Sequence, residues 1–223
     1  MKVIVIASQK GGSSKTTLTA HLAVAAELNN ISPTVLIDMD SQSSLLSWWN
    51  VRENNMPALT SSDLKKLPEK IEALKNAGVK LLLIDTPPAI TNAIYETIKL
   101  ADLVIVPTRP SPHDLRAIGS TIDIIQKVKC PFIFVITQAK YNTHLTIQTI
   151  AALSEYGTVS PIIIHDRIDY ASSMIDGKTV METNKNGKSS QEIYKLLSFV
   201  LANGLISTKK NSISTKDVSI PNG

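Results

Sequence analysis

The stretch Lys10-Gly11-Gly12-Ser13-Ser14-Lys15-Thr16-Thr17 decides how this chain is read. Directly before it, Val3-Ile4-Val5-Ile6-Ala7 is apolar at every position, as in a strand covered on both faces. Directly after it, residues 18–28 carry the apolar spacing of a helix. A glycine turn between a buried strand and a helix start presents several backbone N–H groups to one point, where the helix dipole also favours an anion. Such a turn is a phosphate cradle. A lysine at the helix start reaches the β and γ phosphates of a nucleotide, and the hydroxyl that follows coordinates Mg²⁺.

Working outward, short apolar runs recur at 35–37, 81–84, 103–106, 132–136 and 162–164, each expected to be a strand. Between them lie segments of helical length at 15–29, 62–76, 91–100, 113–127, 145–155 and 189–205. The alternation predicts an α/β fold, a doubly wound, mostly parallel sheet flanked by helices on both faces, with right-handed crossovers. Residues 41–60 interrupt it with a polar segment carrying Trp48, Trp49 and Pro57, expected to be an irregular or partly helical insertion near the active face. Adjacent indoles on a helix cannot both face one core, which leaves one for an interface unless both pack against the insertion. After residue 206 the chain turns to Ser, Thr, Lys and Asn, so the expected organisation is a single domain over 1–206 and a flexible tail over 207–223.

The bulk composition narrows the function class. With 223 residues and 43% hydrophobic content, the chain suffices for one buried α/β domain. A net charge of +4 permits weak DNA contact without arguing for it. The single cysteine, Cys130, excludes an internal disulfide and fits a reducing cytosol. The four histidines are scattered and none stands at zinc-ligand spacing. No apolar run reaches the ~18 residues of a membrane span, and residues 3–6 read as a strand rather than a signal sequence.

Two further segments place carboxylates at strand ends. The second strand runs into Asp38-Met39-Asp40-Ser41-Gln42, and residues two apart on an extended chain point the same way, so Asp38 and Asp40 both face the phosphate site. The strand at 81–84 finishes in Asp85-Thr86-Pro87-Pro88, where a carboxylate suits Mg²⁺ held through water.

Against the general phosphate-loop pattern G-x-x-x-x-G-K-[ST], Gln9 and Ser14 stand where glycines are expected. The run is far more similar to the deviant Walker A motif K-G-G-x-G-K-[ST]-T of the ParA/MinD family of P-loop ATPases, departing from it only at Ser14. Residues 38–42 resemble the family's D-x-D-P-Q segment, with Ser41 for the proline, and 84–88 its I-D-T-P-P. Residues 101–112, 167–177 and 189–197 resemble later family blocks, so the likeness spans about 1–205 and is nearest to the small plasmid-type partition proteins.

The resemblance implies a cytoplasmic ATPase with ATP and Mg²⁺ as cofactors. It implies a homodimer around ATP, nonspecific DNA binding on the nucleoid in that state, and hydrolysis stimulated by a ParB-like centromere-binding adaptor. Lys10 would cross the dimer to the partner's phosphates. Gly11, Gly12, Ser13, Ser14 and Lys15 would line the cradle, with Thr16 on Mg²⁺ and Thr17 on the α-phosphate. Asp40 would orient the attacking water, with Asp38 near the metal shell and Asp85 supporting the metal. Gln138 falls where relatives contact the base, and Arg109 where nucleotide, partner subunit or a plain salt bridge would engage it. Arg167, Lys178, Lys185 and Lys188 make a basic cluster in the region relatives use for DNA, or else a solvated face. Ser14 adds a Cβ where the backbone passes the phosphates; it is expected to crowd the nucleotide or shift the loop, unless its hydroxyl donates to a phosphate oxygen. A binding-only switch with impaired hydrolysis, and a membrane-positioning ATPase resembling MinD, stand as alternatives; the second needs an amphipathic basic helix that 207–223 lacks.

Overall fold

A computed structural model of the chain describes residues 1–88 and 92–210, those from 204 onward by their backbone. Its strands are β1 (Lys2–Ile6), β2 (Thr34–Asp38), β3 (Ala58–Thr60), β4 (Leu81–Asp85), β5 (Leu103–Thr108), β6 (Phe132–Ile136) and β7 (Thr158–Val159). They form one sheet in the order β3-β2-β4-β1-β5-β6-β7, and every pairing is parallel. The helices are α1 (Lys15–Leu28), α2 (Ser44–Asn50), α3 (Leu67–Asn76), α4 (Asn92–Ile98), α5 (Pro112–Ala117), α6 (Gly119–Val128), α7 (His144–Ser154), α8 (Ile168–Ile175), α9 (Val180–Thr183) and α10 (Lys188–Lys210).

The continuous apolar runs are explained by burial on both faces. Side chains alternate across a strand, and here Ile4, Ile6, Leu36, Leu83 and Ile105 enter one core while Val3, Val5, Ile37, Leu82 and Val104 enter the other. The first core is closed by Leu18 and Leu22 of α1, Val180 of α9 and Leu196 and Val200 of α10. The second is closed by Ile94 and Ile98 of α4, Ile122 and Ile125 of α6 and Leu153 of α7. Each fully buried aliphatic side chain contributes about 1.5–3 kcal/mol, so the two layers hold the strand ends firmly in register. Strand order reverses beside β1, and the crevice at the carboxyl ends of β4, β1 and β5 is where such sheets receive ligands.

Several expectations need correction. Residues 162–164 are not a strand; the seventh strand is Thr158–Val159. Pro161 has no N–H for a ladder, and the Ser160 hydroxyl takes the Ile162 N–H instead. The chain rejoins β6 only as Ile164 donates to the Ile136 carbonyl. Within 41–60 the partly helical expectation is met by α2, but the segment also supplies an edge strand, β3, paired with β2. The helix expected over 113–127 is two, divided at Ile118–Gly119. The short helices α8 and α9 were not foreseen. Helix α10 continues to Lys210, past the expected start of the tail at 207; residues 211–223 lie outside the described ones. Both indoles pack: Trp48 is buried and its Nε1 donates to the Lys178 carbonyl, while the Trp49 Nε1 donates to that of Pro57.

Candidate functional site

Residues 8–14 carry the chain from the end of β1 to α1. Gly12 and Ser14 both adopt left-handed backbones, at φ +71° and +73°, which curl the loop back over the helix start. No side chain caps α1, so its first N–H groups remain available to an anion. The two residues just past β6 secure the loop. The Thr137 hydroxyl donates to the Ser13 carbonyl at 3.1 Å, and the Gln138 amide donates to the Gly12 carbonyl and the Ser14 hydroxyl, each at 2.8 Å.

Lys15 is buried, and its Nζ donates to the Lys10 carbonyl at 3.3 Å. Burial lowers its pKa, an effect opposed by the charges of Asp85 and Asp40. The Thr16 hydroxyl donates to Asp85 Oδ2 at 2.6 Å. Sheet register makes this meeting possible: Asp85 at the end of β4 stands beside Ile6 at the end of β1 and beside Asp38 at the end of β2. Asp85 is 1% exposed, and burial pushes its pKa up to about 7, against the Thr16 hydrogen bond; Asp38 pushes it further up, Lys15 opposes, and Asp40 raises it. Its second oxygen, Oδ1, is buried without a hydrogen-bond partner among the described residues. An orphaned carboxylate oxygen beside a hydroxyl at a helix start suits Mg²⁺, which takes one or two carboxylates and completes its shell with water and phosphate oxygens.

The remaining sequence-predicted residues surround this centre. Asp38 Oδ1 accepts the Asp40 N–H and Oδ2 the Leu46 N–H, both at 3.0 Å, so its carboxylate shapes the loop into α2. Asp40 caps that turn, its Oδ1 accepting the Gln42 N–H. The Lys10 ammonium makes no salt bridge among the described residues and stands half-exposed at the rim. Arg109 is fastened to the buried Asp114 by two side-chain bonds, Nε to Oδ2 at 2.9 Å and Nη2 to Oδ1 at 3.0 Å, with Nη1 beside Gly12. Arg167 does not join Lys178, Lys185 and Lys188 as a free cation: Glu192 and the Tyr141 ring hold it, whereas the three lysines are exposed.

Beyond Thr17 a cleft opens between the loop, Gln138 and the segment leading into α8. Ser14, Thr17 and Gln138 line its near side, and Leu18, Ile164, His165, Asp166, Arg167, Tyr170 and Ala171 the rest. Its position beside Ser14 and Thr17 and its mixed apolar and planar lining suit a nucleoside. Apart from Gln138 and the loop residues, this wall was missed from sequence. The only hint was that Arg167 opens a family-like block.

The fold and this loop together define a P-loop nucleotide-binding α/β protein. The chain belongs to the family described as the CobQ/CobB/MinD/ParA nucleotide binding domain, whose model matches residues 4–180. It is 26% identical over 210 residues to the maintenance of carboxysome distribution protein A of Halothiobacillus neapolitanus, covering 89% of this chain and 95% of that one. It is 23% identical to protein ParA of Rhizobium radiobacter, over 91% of this chain and 96% of the other. Among solved structures, the MinC:MinD cell division complex of Aquifex aeolicus superposes with a TM-score of 0.76 at 17% identity, covering 100% of this chain and 99% of that one.

Proposed function

We propose that this chain is a partition ATPase that dimerises with ATP·Mg²⁺ enclosed between the two copies. In that state it binds DNA without sequence preference, and it lets go after hydrolysis stimulated by a ParB-like adaptor. The observation that carries the reading is the meeting of Thr16 with Asp85 beside Lys15, with one Asp85 oxygen unused. On this reading Lys15 leaves the Lys10 carbonyl for the β and γ phosphates, while Thr16 and Asp85 hold the metal site and Asp38 keeps Asp40 over it. Mg²⁺, when bound, supplies charge neutralisation on the phosphate oxygens. Asp40 orients the water that attacks the γ-phosphorus as the bond to ADP breaks. Gln138 and the cleft beyond it receive the nucleoside.

The exposure of Lys10 supports the dimer part of the reading: its half-exposed ammonium, in no salt bridge among the described residues, would engage the phosphates of a second nucleotide. Exposed Lys178, Lys185 and Lys188 support nonspecific contact with phosphate backbones, whose strength falls steeply with salt. No helix among the described residues is long and apolar enough to cross a membrane. The deciding experiment is DNA binding with ATP, with ADP and without nucleotide. Binding only with ATP is expected; binding indifferent to nucleotide, or none, overturns the partition reading. Ser14 favours one second reading, a switch that binds ATP without turnover, because its left-handed backbone and its bond to Gln138 stiffen the loop. Phosphate release measured beside ATP binding separates the two.

A further inference from the structure

The wall of the nucleoside cleft is gathered by one carboxylate that does not line the cleft. Glu192 lies in the first turns of α10 with its side chain 13% exposed. Its Oε1 accepts His165 Nδ1–H at 2.8 Å, Arg167 Nη2 at 2.9 Å and Arg167 Nε at 3.1 Å. Its Oε2 accepts the Tyr170 hydroxyl at 2.9 Å and the His165 backbone N–H at 3.2 Å. An ionised carboxylate offers about four lone-pair sites and no donor, so this one is saturated. A carboxylate has no proton to give, so His165 Nδ1 is the donor in its bond to Oε1. Tyr141 completes the assembly, its ring stacked on His165 at 4.0 Å and 9° and the Arg167 guanidinium 5.0 Å from its centroid.

His165, Arg167 and Tyr170 are thus three cleft residues on one anchor, and that anchor belongs to the helix packed against α1, which opens with Lys15. A cluster serving only stability has no reason to converge on residues that share one cleft. We propose that Glu192 is the positioning residue of the nucleoside wall, holding His165, Arg167 and Tyr170 in the arrangement that receives a planar base. The C-terminal helix thereby sets how tightly a nucleoside triphosphate binds, separately from its phosphates. This rests on the nucleotide reading above.

The test separates base from phosphate. Mg²⁺-ATP and Mg²⁺-tripolyphosphate are titrated by calorimetry into the wild-type, Glu192→Gln and Glu192→Asp proteins. Gln keeps one oxygen but places an N–H against donors and removes the charge. Glu192→Gln is therefore expected to weaken ATP by about tenfold while tripolyphosphate changes by less than about twofold. Equal losses for both ligands, or no loss for ATP, overturn the proposal. If Glu192→Gln melts below the assay temperature, Glu192→Asp decides, because it keeps the charge but draws the carboxylate back from His165, Arg167 and Tyr170: selective loss of ATP supports the proposal, and unchanged or unselective binding overturns it. A wild-type protein that binds neither ligand overturns the nucleotide reading itself. One that binds both, with variants that do not discriminate, overturns only the role of Glu192.

Discussion

The hydroxyl of Ser14 and the amide of Gln138 meet at 2.8 Å across the phosphate loop, and both residues have left-handed backbones, at φ +73° and +51°. The serine that breaks the glycine pattern is therefore answered by a side chain 124 positions away. Its Oγ turns to Gln138, so its cost lies in the backbone. A non-glycine residue in that region costs about 1–2 kcal/mol, and a hydrogen bond returns about 0.5–1.5 kcal/mol.

Ser14→Gly is accordingly expected to change stability by less than about 1 kcal/mol in chemical denaturation, because relief of strain and loss of the hydrogen bond oppose each other. Gln138→Ala should cost about 0.5–1 kcal/mol more in the wild-type background than in Ser14→Gly. Equal cost in both backgrounds would show that the two side chains are uncoupled. Phosphate release by Ser14→Gly, measured alongside, reports whether the strained loop limits turnover.

Lys10→Ala removes the half-exposed ammonium but keeps the carbonyl that Lys15 uses. ATP binding by the monomer should persist, within about threefold, since the cradle is built of backbone N–H groups and Lys15. ATP-dependent dimerisation should be lost in light scattering. Unchanged dimers would refute the cross-dimer role.

His21 on α1 is fully buried, with Nδ1–H donating to the Thr17 carbonyl at 2.8 Å and Nε2 without a partner among the described residues. Protonation would bury an unpaired N–H and a charge, and burial lowers its pKa from 6.5 to about 4. Between those values the unfolded chain protonates His21 and the native one does not, so the His21 contribution to stability falls as pH drops from 6.5 to 4 and is constant above 6.5. The full loss is about 3 kcal/mol by linkage. The difference in denaturation midpoint between wild type and His21→Gln should shift against wild type as pH drops through this range, which separates His21 from Asp85, whose raised pKa acts in the opposite direction. A difference that does not change with pH would show that His21 does not titrate this way.

Gly177 has φ +65°, and a Cβ there would stand 2.6 Å from the Arg52 backbone nitrogen and 2.8 Å from its Cα. It sits where the chain after α2 is bolted to the segment before α9: Arg52 Nη1 donates to the Gly177 carbonyl, and Glu182 accepts both Nη groups. Gly177→Ala combines backbone strain with overpacking against main chain and should cost about 2–4 kcal/mol. A variant as stable as wild type in denaturant would show that the two segments separate freely.

How legible the protein was from its residues depended on how local each feature is. The phosphate loop, Asp38 and Asp85 lie at the ends of fully apolar runs, and a buried run in a parallel sheet carries its own signature. The run at 162–164 had the same composition, yet Pro161 denies it a ladder and the strand falls earlier, at Thr158–Val159. Helices α8 and α9 span 8 and 4 residues, too short for a helical period to stand out. Arg167 read as a free cation because a sequence shows charge and not partner; Glu192, 25 positions on, claims it.

The layered α/β architecture, the phosphate loop and the family are written in local pattern, because buried strands, glycine turns and strand-end carboxylates are encoded within a few residues of one another. Which groups meet depends on packing across the whole fold. It set Asp85 against Thr16, Gln138 against Ser14, and Glu192 against His165, Arg167 and Tyr170. Each is a contact between segments distant in the chain, fixed by strand register and helix packing, which act on the whole core at once.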